Sequence, residues 1–190
     1  MHIDRFDIED ILLINLAKRY DQRGFFSETY RSDLLRAEGV HWEFVQDNHV
    51  YSAERGVLRG LHFQIPPHAQ GKLVRCTRGA ILDVSVDIRR GSPTYGHHVA
   101  AQLSAENWKQ MWVPPGFAHG YLTLEADSEV IYKVTKYWAP TSERGLAWND
   151  PSLAINWGIL PIDVKMADKD RSNPNLAEVE SFFQYENRND

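Results

Sequence analysis

Cysteine is nearly absent from this sequence of 190 residues, which holds a single one, Cys76. One thiol can form neither an internal disulfide nor a cysteine metal cluster, so we expect a reduced, cytoplasmic setting. The sequence also lacks any apolar run near the roughly 20 residues that cross a bilayer. Its N-terminal stretch, MHIDRFDIED, carries acidic residues where a signal peptide has basic and apolar ones. We therefore expect no membrane partner.

Several ligand-binding and catalytic motifs are missing as well. There is no glycine-rich dinucleotide or P-loop fingerprint and no Gly-x-Ser-x-Gly, so bound NAD, a P-loop nucleotide and serine catalysis have no support. Positive charge is in deficit, since 21 Lys and Arg against 26 Asp and Glu give a net charge of −5. This balance argues against a nucleic-acid partner and favours a small anionic ligand in a local cationic pocket.

The residues that are present alternate mostly with the period of two that is typical of β-strands. In the strand predicted at 81–88, four apolar residues share one face, while Asp83, Ser85 and Asp87 share the other. Alternation from Val130 to Trp138 predicts a strand with Tyr132 and Trp138 on one face. Further strands are predicted at 11–17, 42–51, 57–64, 72–78, 98–104 and 110–113.

Two segments favour short helices. One covers 31–38 and ends before Gly39, and the other covers 174–183. Many short strands separated by turn signals predict one all-β domain over residues 1–190. The expected fold is a cupin-like jelly-roll β-barrel with short peripheral helices.

Functional side chains are densest between Arg59 and Lys72. Lys72 shares a strand face with Val74 and Cys76, so regular pleating directs a lysine inward. There it requires an anion or an electron-rich oxygen, unless it snorkels to the strand edge. His62 and Tyr132, each considered alone, are equally compatible with ordinary packed core residues.

A metal site is not predicted. The segment at 114–119 resembles the second half of a cupin metal motif and ends on His119. The first half needs a His-x-His pair, but Phe63 and Gln64 follow His62. His97 and His98 are adjacent and would point to opposite faces of a strand.

Taken together, a series of ordered motifs resembles the dTDP-4-dehydrorhamnose 3,5-epimerase family. The resemblance extends from Asp21 to about Pro174. It implies a homodimer, with the N-terminal region 1–50 contributing to the partner's site. It also implies a nucleotide-linked 4-keto-6-deoxyhexose substrate and no metal or other cofactor. The matching segments are 21–30, 44–48, 56–64, 70–74, 83–89, 115–120, 132–135 and 148–150.

The resemblance also implies a role for each site residue. A ketone at C4 acidifies the protons on C3 and C5, and inversion needs a base on one face and a proton donor on the other. His62 is implied as the base, oriented by Asp170, with Tyr132 as the acid and Lys72 at the enolate oxygen. Residues implied to bind the nucleotide and its diphosphate are Arg23, Arg59 and Lys169. Other implied ligand contacts are Glu28, Gln46, Asn48, His119 and Glu143.

Two features depart from the simple pattern. Strict alternation puts Arg59 and His62 on opposite faces of their strand, so a β-bulge at Gly60 is expected. Trp138 stands where many family members carry a tyrosine, which keeps a stacking surface but removes a phenol. Inversion at C3, at C5 or at both therefore stays open.

Two alternative functions stay open as well. One is a metal-dependent cupin enzyme, and the other is a module that binds nucleotide sugars without turnover.

Overall fold

The structure is a computed structural model that describes residues 1–186. Short antiparallel strands dominate it, and two short α-helices lie at the periphery. The strands are β1 (His2–Arg5), β2 (Leu12–Asn15), β3 (Arg19–Asp21), β4 (Gly24–Phe26), β5 (Gln46–Ser52), β6 (Leu58–Gln64), β7 (Lys72–Arg78), β8 (Ala80–Asp87), β9 (His98–Ser104), β10 (Lys109–Val113), β11 (Phe117–Thr123), β12 (Ser128–Val134) and β13 (Glu143–Gly145). The helices are α1 (Ser32–Ala37) and α2 (Asp168–Arg171).

Most strands belong to two packed sheets. The six-stranded sheet has the order β1-β2-β10-β7-β12-β5, and the five-stranded sheet has the order β13-β6-β11-β8-β9. Strands β3 and β4 form a separate hairpin. The prediction of an all-β, cupin-like architecture with short peripheral helices is confirmed. Across residues 1–186, every helix is too short or too polar to cross a bilayer.

The core between the sheets fixes which side chains point inward. Val74 and Cys76 of β7 pack there with Ile81 of β8 and Tyr121 of β11. Because Lys72 lies on the same face of β7 as Val74 and Cys76, its predicted inward direction is confirmed.

Strand β8 is buried on both faces. Val84 and Val86 pack beneath the C-terminal segment, against Leu153, Trp157 and Leu176. Asp83, Ser85 and Asp87, on the other face, are 0% exposed as well. The polar face predicted for this strand therefore lies inside the protein, where buried carboxylates need partners.

The helix prediction is correct at one end of the chain and wrong at the other. Helix α1 agrees with the prediction at 31–38, and Gly39 follows it with φ +91°. The segment 174–183 holds only a 3-10 turn at Leu176–Glu178. Its backbone is bound elsewhere, since Leu176 donates its N–H to Asp150 Oδ2 at 2.7 Å.

Three predicted strands are too long. The strand predicted at 11–17 covers only Leu12–Asn15. The strand predicted at 42–51 begins at Gln46, and the strand predicted to reach Trp138 ends at Val134. Beyond Val134, side-chain amides from other elements bind the backbone and prevent strand pairing.

Candidate active site

A cavity of about 710 Å³ lies between the two sheets, with walls from both of them and from the segment 165–170. All predicted site residues except Arg23 and Glu28 line it. These are Gln46, Asn48, Arg59, His62, Lys72, His119, Tyr132, Trp138, Glu143, Lys169 and Asp170.

His62 and Asp170 form a hydrogen-bonded pair at the cavity wall. His62 Nε2 lies 2.7 Å from Asp170 Oδ1, and the Gly60 N–H donates to Asp170 Oδ2 at 3.4 Å. Burial favours the neutral form of Asp170, but the hydrogen bonds from His62 and Gly60 and the charges of His62 and Lys169 together outweigh it and lower the pKa of this carboxyl. When the His62 imidazole is neutral, the ionised Asp170 accepts a hydrogen bond from its Nε2–H, which leaves a lone pair on Nδ1 for a substrate proton.

A β-bulge brings Arg59 and His62 to the same cavity, as predicted. In the pairing of β6 with β11, His62 lies opposite His119, whereas Arg59 lies opposite Tyr121. Three residue steps on β6 therefore match two on β11, which reverses the alternation between Arg59 and His62. Gly60 allows this with φ +120°, and a Cβ atom there would lie 2.7 Å from the Gly120 Cα.

Lys72 lies inside the cavity next to His62. Its Nζ donates to the His62 carbonyl at 3.3 Å. Burial lowers the pKa of Lys72 to about 8, although the charges of Asp83 and Glu143 act in the opposite direction. A cation that is so poorly solvated interacts strongly with negative charge developing beside it.

Tyr132 lines the wall opposite His62. Tyr132 belongs to β12 of the six-stranded sheet, and His62 belongs to β6 of the five-stranded sheet. Burial raises the pKa of Tyr132, against the opposing charge of Arg59. The phenol is therefore protonated at neutral pH and can donate.

A second histidine–carboxylate pair lies deeper in the cavity. His119 Nε2 is 2.9 Å from Asp83 Oδ1 and 3.0 Å from Oδ2. Desolvation lowers the pKa of His119 despite the neighbouring Asp83 charge, so its imidazole is neutral at pH 7. Asp83 was not predicted as a site residue, and its place on the polar face of β8 was the available signal.

The open side of the cavity is formed by Trp138, Glu143 and Lys169. Trp138 Nε1 donates to Glu143 Oε2 at 2.9 Å, and Lys169 Nζ donates to Glu143 Oε1 at 2.8 Å. Burial opposes ionisation of Glu143, but these two hydrogen bonds and the charges of Lys169 and His62 together outweigh it and lower the pKa of the carboxyl. Trp138 reaches the cavity from the loop after β12, so the prediction that it lies on the same strand as Tyr132 was wrong.

Gln46 and Asn48 line the cavity from β5. Gln46 Nε2 donates to Asn48 Oδ1 at 2.8 Å, and the Trp138 N–H donates to Gln46 Oε1 at 3.2 Å. These amides therefore connect the β5 wall to the loop that carries Trp138.

Arg23 and Glu28 lie away from this cavity within the chain. Arg23, in the β3–β4 hairpin, binds Asp21 at 2.6 Å, and its side chain is 84% exposed. Glu28 lines a separate pocket of about 70 Å³ together with Met1 and Arg31.

Further cavity residues were missed in the sequence. Lys165 adds a cation, paired with Glu54, and Gln64 and Gln70 add amides. The Tyr121 hydroxyl is buried and has no hydrogen-bond partner among residues 1–186.

A metal site was not predicted. Within residues 1–186, no three His, Cys, Asp or Glu side chains are grouped so that they could hold a metal ion.

Comparison with known proteins gives consistent results. The sequence profile of the dTDP-4-dehydrorhamnose 3,5-epimerase family matches residues 5–178. A dTDP-4-dehydrorhamnose 3,5-epimerase from Sinorhizobium fredii is 50% identical over 97% of this chain and 94% of its own length.

Solved structures agree with the sequence relatives. The epimerase RmlC from Legionella pneumophila, in complex with dTDP-4-keto-L-rhamnose, is 39% identical with a TM-score of 0.93 and covers 98% of this chain and 99% of its own. ChmJ, a 3'-monoepimerase from Streptomyces bikiniensis in complex with dTDP-quinovose, is 32% identical with a TM-score of 0.83, covering 93% and 88%. The chain therefore belongs to the dTDP-4-dehydrorhamnose 3,5-epimerase family, whose members are isomerases.

Proposed function

We propose that this chain epimerises a dTDP-linked 4-keto-6-deoxyhexose at C3, C5 or both, without a cofactor, in the cytoplasm. The observation that carries the proposal is the placement of His62 and Tyr132 on facing sheets around one cavity. A sugar ring between them has a base on one face and a proton donor on the other, as inversion requires.

In the proposed reaction, His62 Nδ1 removes the proton on the carbon next to the ketone. Asp170 holds the ring through Nε2 and stabilises the imidazolium that forms. The electron pair moves into the C4 carbonyl and produces an enolate. Tyr132 then donates a proton to the opposite face of the same carbon, which inverts it.

Lys72 is proposed to stabilise the enolate oxygen. Lys72 is half-buried in the cavity and its ammonium has no carboxylate in a direct ion pair among residues 1–186, so its charge remains available to the substrate. Fixed charge in a water-poor site stabilises developing negative charge without reorganising, and effects of this kind are worth about 3 kcal/mol.

The nucleotide is proposed to lie at the open side of the cavity. The exposed indole of Trp138 offers a stacking surface for a base, and Arg59, Lys165 and Lys169 supply cations for the diphosphate. RmlC and ChmJ are both solved with dTDP-linked sugars, which supports dTDP as the carrier here.

A homodimer is proposed to complete the site. Arg23 and Glu28 match ligand-binding positions of the family but lie away from this chain's cavity. The hairpin that carries Arg23 exposes Tyr20 and Phe26, which are 72% and 62% accessible. Exposed aromatic side chains on the hairpin that carries a ligand-binding candidate favour insertion of region 1–50 into a partner subunit.

Solvent deuterium exchange tests the proposed chemistry. The protein is incubated with dTDP-4-keto-6-deoxyglucose in heavy water, and deuterium at C3 and C5 is measured by NMR. We expect exchange with the wild type and a loss of about 10²- to 10⁴-fold in His62→Asn, while dTDP binding changes little.

The matched control is His97→Asn, because His97 is exposed and lies outside the cavity. We expect this variant to exchange deuterium at the wild-type rate. Exchange by His62→Asn at the wild-type rate would show that His62 is not the base. Binding of the 4-keto sugar by the wild type without any exchange would instead favour a binding module.

A further inference from the structure

The loop that carries Trp138 is attached to the cavity wall by a buried glutamine on β6. Gln64 Nε2 donates to the Tyr137 carbonyl at 3.2 Å, and Gln64 Oε1 accepts from the Ala139 N–H at 2.7 Å. These two bonds bind the backbone immediately before and immediately after Trp138. The loop therefore cannot move the indole freely without breaking one of them.

The Gln64 side chain is fully used by this arrangement. It is 4% exposed, and Nε2 also donates to the His68 carbonyl at 2.6 Å. One acceptor and two donors on the same planar group are thus all partnered with backbone. A carboxylate of the same shape has no proton to donate to the two carbonyls, so this position requires an amide.

Two further glutamines bind the same loop. Gln46 Oε1 accepts from the Trp138 N–H, and Gln70 Nε2 donates to the Lys136 carbonyl at 2.7 Å. Trp138 nevertheless remains 58% exposed beside the cavity opening. A large aromatic surface that is exposed yet fixed through its backbone is pre-organised, which lowers the entropic cost of binding a flat ligand.

We propose that Gln64 is a positioning residue for the nucleotide end of the substrate, acting through Trp138. By fixing the backbone on both sides of the indole, it holds the ring where a nucleobase stacks. This inference rests on the proposed placement of the nucleotide beside Trp138. Stacking of a base on an aromatic side chain contributes enough for a displaced ring to be detected by binding.

The test uses Gln64→Glu, which keeps the shape of the side chain but sets a carboxylate against two carbonyl oxygens. We expect the Kd for dTDP to rise by about tenfold, while kcat at saturating substrate stays within about threefold. Gln64→Met removes the polar group at similar size and should act in the same direction. If Gln64→Glu does not fold, the Kd for dTDP is measured with Gln64→Met instead.

Ser128→Ala is the matched control for lost backbone hydrogen bonds. The buried Ser128 hydroxyl contacts the Ala80 and Glu125 carbonyls away from the cavity. This variant should lower the melting temperature and leave the Kd for dTDP unchanged. If both Gln64 variants also keep the wild-type Kd, Gln64 is only structural and the proposal is wrong.

A double-mutant cycle with Trp138→Ala tests whether Gln64 acts through the indole. We expect Gln64→Glu to change the Kd by less than about twofold when Trp138 is already absent. An equal loss in both backgrounds would mean that Gln64 contacts the ligand directly, which overturns the proposal. If Trp138→Ala alone leaves the Kd unchanged, both the stacking and this proposal fail, whereas deuterium exchange still tests the chemistry independently.

Discussion

The two histidines of the cavity each pair with a buried carboxylate but differ in their own exposure. The His62 side chain is 27% exposed, whereas that of His119 is 7% exposed and rests on a fully buried Asp83. Desolvation lowers the pKa of His119 and keeps it neutral, so it can accept or donate a hydrogen bond but holds a proton poorly. His62 is the better placed of the two to accept and release the substrate proton.

At the same scale, Lys72 predicts how activity depends on pH. Burial lowers its pKa to about 8, so the ammonium is charged below that pH and loses its proton as the pH rises through it. If the cation stabilises the enolate, kcat/KM should fall above about pH 8. Burial raises the pKa of Tyr132, so the phenol does not produce this limb.

The variant Lys72→Arg separates Lys72 from other groups. A guanidinium stays charged at any pH where the protein is folded, so the basic limb should move upward even if the maximal rate is lower. The measurement is kcat/KM from pH 6 to 10 for the two proteins. An unchanged limb in Lys72→Arg would assign it to a different group.

At the scale of elements, the bulge in β6 shows what the sequence could and could not predict. Alternation put Arg59 and His62 on opposite faces of β6, and Gly60 between them indicated where a β-bulge would shift the alternation. The strand around Trp138 could not be predicted in the same way. Its last residues alternate correctly, but Gln46, Gln64 and Gln70 bind that backbone from segments distant in sequence. Asp83 was missed because a polar strand face does not indicate whether water or a buried histidine covers it.

Gly60→Ala tests the bulge. The added methyl combines a strained φ of +120° with backbone atoms at 2.7 Å and 2.8 Å, and β11 cannot give way as a flexible side chain would. We expect a loss of about 3 kcal/mol in unfolding free energy and a large loss of activity in the folded fraction.

Gly91→Ala is the control for this change. Gly91 has φ +83° and no atom within 4 Å of the position that an added methyl group would take, so only backbone strain applies. Its expected cost is about 1 kcal/mol with normal activity. Both values are measured by urea denaturation, and equal losses in the two variants would contradict a steric role for the β6–β11 contact.

Residue 138 also tests where the nucleotide lies. The indole of Trp138 engages Glu143 through its single N–H, whereas a tyrosine there would present a hydroxyl. If the indole stacks on the nucleobase, it lies away from the reacting carbons, so we expect Trp138→Tyr to leave the ratio of C5 to C3 deuterium incorporation unchanged. A changed ratio would place residue 138 beside the sugar ring and contradict the stacking.

At the scale of the whole molecule, the cavity of one chain is rich in catalytic groups but lacks two implied ligand contacts. Arg23 is held by Asp21 in an exposed hairpin, and the hairpin strands β3 and β4 pair only with each other within residues 1–186. Burial of the exposed aromatic side chains of this hairpin against a partner subunit would be energetically favourable. In the proposed two-fold dimer, each hairpin reaches the other chain's cavity.

Mixed dimers test this arrangement directly. Arg23→Ala and His62→Asn chains are co-expressed with different affinity tags, and the dimer that carries both tags is purified. If Arg23 acts in the partner's cavity, one of its two sites combines the intact His62 of one chain with the intact Arg23 of the other. The mixed dimer should then have about half the wild-type rate at substrate concentrations below KM, although each variant alone is poorly active.

The control pair is His62→Asn with Lys72→Met, whose residues line the same cavity. In that mixed dimer both sites stay defective, so activity should not return. Recovery in the control, no recovery in the test pair, or failure to isolate a doubly tagged species would each contradict a site shared between subunits.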